Sequence, residues 1–155
     1  MIATIRPAEP KDLIEIIDMG REFFEQSGNG AFTTFDEPSF TSTVIGLMSG
    51  VANGTLLVAE SAERSVGMAA HVVFPFYANM NTKIAQEIFW YCKPDFRNGI
   101  GSALLDELEA DARRKGADVF MSAAIAGLRD GAIRRVYERR GYKPAEHTFL
   151  RRLSS

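Results

Sequence analysis

Residues 87–116, EIFWYCKPDFRNGIGSALLDELEADARRKG, constrain the fold of this chain more than any other stretch. Glu87 to Cys92 is mostly aromatic and apolar, and Pro94 stops it, which is the pattern of a buried strand. Asn98-Gly99-Ile100-Gly101 follows, with two backbone positions that carry no Cβ. Beyond Gly101, the residues Ala103, Leu104, Leu105, Leu108 and Ala112 recur at helical spacing, and Asp106, Glu107, Glu109 and Asp111 cover the other face. Arg113, Arg114 and Lys115 fall in the last turn, where cations favour the negative helix end, and Gly116 suits the cap. Strand, glycine turn and helix N-terminus together make an anion site, because the first helical N–H groups have no partner inside the helix. Arg97 adds a fixed positive charge beside them. A pyrophosphate-bearing cofactor docked here is the functional reading; the alternative is a plain strand-to-helix turn that uses glycine only for geometry.

The 155 residues suit one domain, spanning 1–155, with a core of its own. A formal net charge of -2 leaves no electrostatic footprint for nucleic acid or an acidic membrane. The apolar runs are too short to cross a bilayer, and MIATIRPAEP lacks the apolar centre of a signal peptide, so a cytoplasmic location is expected. The single cysteine, Cys92, permits no intrachain disulfide and suggests no cysteine metal site. His71 and His147 are isolated and read as ordinary strand residues; no metal is expected.

In chain order, residues 3–6 predict a first strand. A helix with Pro10 in its first turn carries Leu13, Ile16, Ile17, Phe23 and Phe24 as an apolar stripe as far as Ser27-Gly28-Asn29-Gly30. A loop with Phe32 and Phe35 leads to a second helix from Pro38, with Phe40, Val44, Leu47 and Met48 on one face. Strands are predicted at 55–60, 66–74 and 84–92, with Gly67 a candidate bulge and 75–82 a loop; the short connections predict an antiparallel meander. After the glycine-initiated helix comes a strand at 118–124, parallel to the one before it by the strand–helix–strand rule. The loop 127–131 opens a last helix through Arg140, and residues 142–153 return as a final extended segment. The order β-α-α-β-β-β-α-β-α-β describes a mixed α/β (α+β) fold with a mostly antiparallel central sheet flanked by helices.

This order, with Pro94-Asp95-Phe96-Arg97 before Gly99-Ile100-Gly101 and Tyr137-Glu138-Arg139-Arg140-Gly141-Tyr142 after, resembles the GNAT superfamily of N-acetyltransferases. The opening Ile5-Arg6-Pro7-Ala8 followed by Asp12 resembles the usual start of that family. EIFWYCKPDFR and YERRGYKPAEHTF together resemble a phage- or prophage-borne branch. Two features depart from the family. Its loop is commonly Gln/Arg-x-x-Gly-x-Gly/Ala, and strict spacing puts Phe96 at the first position with Arg97 one place late. Its chains usually end with two strands, whereas here a single strand bent at Pro144 is expected.

The resemblance implies an acetyl-CoA-dependent N-acetyltransferase that moves the acetyl group directly to a primary amine of a small molecule or protein. It implies that Arg97, Asn98, Gly99, Ile100, Gly101 and Ser102 cradle the pyrophosphate of coenzyme A, and that Tyr91, Cys92 and Lys93 offer backbone groups to the pantetheine arm. Asp130 stands near a family asparagine that contacts the cofactor, although a helix cap is the favoured reading. Phe23, Phe24, Phe32, Phe35 and Phe40 read mostly as core, and the resemblance offers Phe32 and Phe35 as lining for the acceptor pocket. Glu87, the acidic residue in an otherwise apolar strand, is the candidate base, against a strand-end carboxylate that faces solvent or pairs with an arginine, with an ordered water held by backbone carbonyls as the alternative base. Tyr137 matches the family tyrosine as the acid for the departing sulfur, against a core tyrosine with a backbone partner. Cys92 is expected to pack passively.

The competing function is a non-catalytic member of the same fold that works through acyl-CoA or protein binding. A dinucleotide-binding oxidoreductase is excluded, because Leu104 stands where a third glycine is needed. The absence of Gly-Lys-Ser/Thr after the glycines likewise excludes a triphosphatase loop. A missing final strand would leave a sheet edge for a second subunit, so a homodimer is an expectation to be tested.

Overall fold

The computed structural model describes residues 2–154. Five strands, β1 (Thr4–Pro7), β2 (Thr55–Ser61), β3 (Arg64–Phe76), β4 (Asn79–Cys92) and β5 (Val119–Met121), form one sheet in sequence order. β1 to β4 pair antiparallel, and β5 pairs parallel to β4. The helices are α1 (Leu13–Ser27), α2 (Glu37–Met48), α3 (Ile100–Arg114) and α4 (Asp130–Arg139).

The sheet is buried on both faces. Ile16 and Met19 of α1 and Val44 and Leu47 of α2 pack on Leu56, Val58, Met68, Ala70, Phe89 and Tyr91. On the opposite face Leu104 and Leu108 of α3 pack on Leu57, Ala59, Ala69 and Cys92. Each fully buried leucine contributes about 1.5–3 kcal/mol relative to exposure. Gly67 lets α3 come close: a Cβ there would stand 2.9 Å from Leu104 Cδ1 and 3.3 Å from the Tyr91 carbonyl oxygen.

The turn from β1 into α1 is pinned by charge. Arg6 donates two hydrogen bonds to Asp12, at 2.8 and 2.9 Å, and the Glu9 N–H and Ser65 Oγ also reach Asp12. Burial alone would raise the Asp12 carboxyl, but these donors hold it below the usual carboxylate range. This accounts for the Ile5-Arg6-Pro7 and Asp12 pattern at the start of the chain.

Three expectations are corrected. Residues 75–82 are not a loop: β3 and β4 run on as a long hairpin, Pro75 pairs with Lys83, and Phe76 with Asn79. The strand expected at 118–124 is short, Val119–Met121. No strand is formed after Gly141 among the described residues; 143–154 carry no helix or strand and are exposed. Pro144 lacks a backbone donor at the start of that segment. The β2–β3 bulge sits beside Gly67, where Ala59 pairs with Gly67 and Glu60 with Ser65, so that Val66 is the extra residue.

A second bulge positions the site. Ala70 pairs with Phe89 but His71 with Glu87, which leaves Ile88 unpaired. Ala85 packs with Val73 and Ala112 on the α3 face, whereas Phe89, four residues on, packs on the α1–α2 face. An unbroken strand would put both on one face. The extra residue therefore switches the alternation and leaves Glu87 on the α3–α4 side.

Candidate active site

β4 and β5 pair only from Ile84–Val119 to Gln86–Met121. Beyond that point they part, and Glu87 to Cys92 has no β5 partner along one edge. The opening is a cleft of about 500 Å³, walled by Glu87, Ile88, Trp90, Tyr91 and Cys92 of β4 and by Ala132, Ile133 and Val136 of α4. Gly99, Gly101 and Ser102 line one end, and Phe23 and Gln26 of α1, with Asn29 just beyond it, line the cleft as well.

At the glycine end, the first intrahelical bond of α3 runs from the Ala103 N–H to the Gly99 carbonyl at 3.0 Å. The N–H groups of Ile100, Gly101 and Ser102 therefore precede the ladder, as a helix start requires. Gly99 is demanded by the backbone, with φ of +99°, whereas a Cβ on Gly101 would meet nothing closer than Trp90 at 3.4 Å. Turn geometry explains Gly99 but not Gly101, whose missing side chain leaves room on the cleft wall. The unpaired amides, the free β4 edge and this room suit a ligand with a pyrophosphate and an amide-bearing arm.

Arg97 does not extend to the cleft end as a free charge. Its Nε donates to the Cys92 carbonyl at 2.9 Å, one Nη reaches Gln26 Oε1 at 3.3 Å, and the guanidinium lies over the Tyr91 ring. Phe96 packs on the α3-side core. Phe96 thus anchors the loop, and Arg97 ties it to β4 and α1 while still lining the cleft.

At the other end Glu87 Oε2 accepts hydrogen bonds from Ser122 Oγ at 2.6 Å and from the Tyr137 hydroxyl at 3.1 Å. Tyr137 also reaches the Ala123 carbonyl at 3.2 Å. Burial pushes the Glu87 carboxyl up to about 6, and the two donors restrain that rise. Burial and the Glu87 charge raise the Tyr137 phenol, so it keeps its proton at neutral pH. A carboxylate that titrates near neutrality beside a protonated phenol can accept one proton and supply another.

The structure brings some of the residues singled out in the sequence together at the cleft and leaves others apart from it. Glu87 and Tyr137 are brought together, and the arginine-paired or solvent-facing Glu87 is not what the structure contains. Tyr91, Cys92, Arg97, Gly99, Gly101 and Ser102 line the cleft; Lys93, Asn98 and Asp130 do not, and the Ile100 side chain is core. Asp130 is not the helix cap either: Arg129 holds that position at φ 48°, and Asp130 accepts from Arg134 at 2.8 Å. Phe32 and Phe35 do not line the cleft; Phe35 packs between Phe24 and Phe40. Burial pushes the Cys92 thiol up to about 11, so it is a neutral packing group. His71 is fully buried with Nε2 2.8 Å from Asp111 Oδ2. No cluster of three metal-ligating side chains occurs among the described residues.

Sequence reasoning missed Ser122 and Trp90. Trp90 Nε1 donates to the Gly101 carbonyl at 2.9 Å, and its ring lies 6.1 Å from that of Tyr137, so one side chain joins both ends of the cleft. The serine gave no signal of its own, since only the parting of β4 and β5 brings it to Glu87.

The sequence model of the Acetyltransferase (GNAT) family matches residues 17–142. The chain belongs to that family. No curated protein matches it. Solved structures match over nearly its whole length. One is a predicted acetyltransferase from Clostridium acetobutylicum with acetyl-CoA, at TM-score 0.75 and 20% identity, covering 98% of this chain and 97% of the other. AAC(6')-Iy, in complex with the bisubstrate analogue CoA-S-monomethyl-acetylneamine, matches at TM-score 0.80 and 13% identity, covering 100% of both chains. A ribosomal-protein-alanine N-acetyltransferase from Brucella melitensis biovar Abortus 2308 matches at 0.75 and 18%, covering 99% of this chain and 100% of that one. At these identities the likeness is one of fold. Among the described residues, no helix of this GNAT chain is long and apolar enough to cross a membrane.

Proposed function

We propose that this GNAT domain transfers an acetyl group from acetyl-CoA directly to a primary amine on a small molecule or protein. The observation that carries the reading is that Glu87, which accepts a hydrogen bond from the buried Tyr137 at 3.1 Å, lines the same cleft as Gly99, Gly101 and Ser102 at the start of α3. The family supports the reaction type, and two of the structural neighbours hold acetyl-CoA or a coenzyme A analogue.

Acetyl-CoA is the donor substrate here. The α3 amides would receive its pyrophosphate, and the unpaired edge of β4 its amide-bearing arm. An alkylamine of pKa about 10.4 is neutral in only about one molecule in two thousand at pH 7. Glu87 takes the proton that blocks attack. The amine nitrogen then bonds to the acetyl carbon, the carbon–sulfur bond breaks, and the sulfur receives the proton of Tyr137. The second proton on the nitrogen leaves to solvent.

The contact between Glu87 and Tyr137 sets the order. While Glu87 is ionised, its charge makes the phenol a poorer acid. Once Glu87 has taken the amine proton, that penalty vanishes and Tyr137 can release its own. The proton on Glu87 then returns to Tyr137 along the existing hydrogen bond, and the pair is reset.

Thermal denaturation with acetyl-CoA, coenzyme A and NAD tests the donor. A ligand at a hundred times its Kd stabilises by about 2.7 kcal/mol, a shift of several degrees for a chain of this size. Stabilisation by both coenzyme A forms and none by NAD is expected; no shift with either coenzyme A form would sink the reading.

A further inference from the structure

The Lys93 N–H donates to the Val66 carbonyl of β3 at 2.9 Å. A trans peptide points its N–H and its C=O in opposite directions, so the Cys92 carbonyl of the same unit faces away from β3. It faces the edge that β5 has left, since the last β4–β5 pair is Gln86–Met121. That edge borders the cleft, and Cys92 is on the cleft wall. An arm amide that pairs along it needs an acceptor such as this oxygen.

The oxygen is already engaged. Arg97 Nε donates to it at 2.9 Å, so the guanidinium stands in front of it, with its central carbon 5.6 Å from the centre of the Tyr91 ring. The same group reaches across to α1. Its Nη2 donates to Gln26 Oε1 at 3.3 Å, Gln26 Nε2 donates to the Tyr91 hydroxyl at 3.3 Å, and that hydroxyl donates to Glu22 at 2.8 Å. Among the described residues Arg97 has no carboxylate partner. A carbonyl, a side-chain amide and a ring hold it, all of them neutral, so its charge is left for a phosphate to pair with. The loop that carries it is fixed. Phe96 packs in the α3-side core, and Cys92 Sγ donates to the Phe96 carbonyl at 3.2 Å, so that only the exposed Arg97 side chain has to move.

We propose that Arg97 is a specificity-determining latch, which closes the β4 edge at Cys92 and yields it only to a ligand that brings a pyrophosphate to the start of α3. The inference rests on the donor reading above. An amide arm alone must displace the guanidinium and offers nothing to receive it. Coenzyme A offers both, because the binding that takes the carbonyl also puts negative charge beside the loop. The latch guards an open strand edge, which otherwise pairs with any extended chain. Its release frees Gln26, so donor binding is felt on the α1 wall of the cleft.

The test compares pantetheine, which has the arm and no phosphate, with coenzyme A, on wild type and on Arg97→Met, by Trp90 emission and calorimetry. The side chain is exposed, so the variant is expected to fold, with an unchanged far-ultraviolet dichroism spectrum. Arg97→Met is expected to bind pantetheine about 3- to 10-fold more tightly than wild type, since no hydrogen bond has to be broken first. It is expected to bind coenzyme A about 10-fold more weakly, since the pyrophosphate loses a cation. The opposite signs separate the latch from a merely structural role, which would weaken both ligands. Pantetheine bound no more tightly by the variant than by wild type, undetected binding in both included, overturns the latch. A structure of the coenzyme A complex in which Arg97 Nε still donates to Cys92 also overturns it. Coenzyme A bound by wild type shows that the donor reading stands, so that either result then counts against the latch alone.

Discussion

The hydroxyl of Tyr137 on α4 donates to Oε2 of Glu87 on β4 at 3.1 Å, fifty residues apart in sequence. Ser122 donates to the same oxygen, so the carboxylate is held by two neutral donors. Its pKa near 6 is the balance between burial, which raises it, and these donors, which restrain the rise. The other charged groups lining the cleft are Arg97 and Arg129.

Replacing the phenol tests the acid role. Tyr137→Phe is expected to lower kcat by about 10²-fold or more, with little change in the affinity for coenzyme A. The acid limb of the pH profile should also move to higher pH, because the carboxylate loses a donor that favours its ionised form. Single-turnover rates and calorimetry with coenzyme A separate the two effects. Full turnover with chemistry limiting would remove Tyr137 from the mechanism.

Glu87 also makes a stability prediction. Its folded pKa lies above the usual 4.5, so the stabilisation linked to it is complete below pH 4.5 and is lost as pH rises through about 6. The loss amounts to about 2 kcal/mol by pH 7. Glu87→Gln has no such proton to lose. Relative to wild type, the variant should gain about 2 kcal/mol between pH 4 and pH 7 in urea titrations. A difference that does not change with pH would mean that the carboxyl is not buried as described.

The contact under β3 predicts coupling in the core. Gly67→Ala puts a methyl 2.9 Å from Leu104 Cδ1 and is expected to cost about 1–3 kcal/mol. Leu104→Ala leaves a cavity and is expected to cost about 2–5 kcal/mol. The double variant should cost less than the sum, since one change makes the space that the other fills. Strict additivity in chemical denaturation would contradict the packing.

Trp90 is the chain's only tryptophan and lies on the cleft wall. Its emission should change saturably on titration with coenzyme A and remain flat with NAD. Coenzyme A binding by calorimetry without any change in Trp90 emission would put the ligand elsewhere.

Periodicity and punctuation made much of this molecule legible in advance. The apolar positions of α3 and the glycines before it gave the helix and its free N-terminus. What escaped was set by partners distant in sequence. Polar Asn79, Asn81 and Thr82 read as a loop, yet their backbone lies in β4, which reaches Asn79 beyond the region paired with β5. The bulge at Ile88 has no signature in side chains, although it decides which face Glu87 takes. Ser122 matters only because two strands part beside it. An aromatic in a loop looks the same in sequence whether it lines a cavity or packs, as Phe35 does, between Phe24 and Phe40.

The pH dependence of kcat/KM for acetyl transfer, followed by thiol release with an amine that supports turnover, tests the account most directly. Wild type should show an acid limb near pH 6, the Glu87 carboxyl losing its proton, and Glu87→Gln should turn over far more slowly with that limb absent. An identical limb in both proteins, at comparable rates, would show that the base is not Glu87 and would contradict the account.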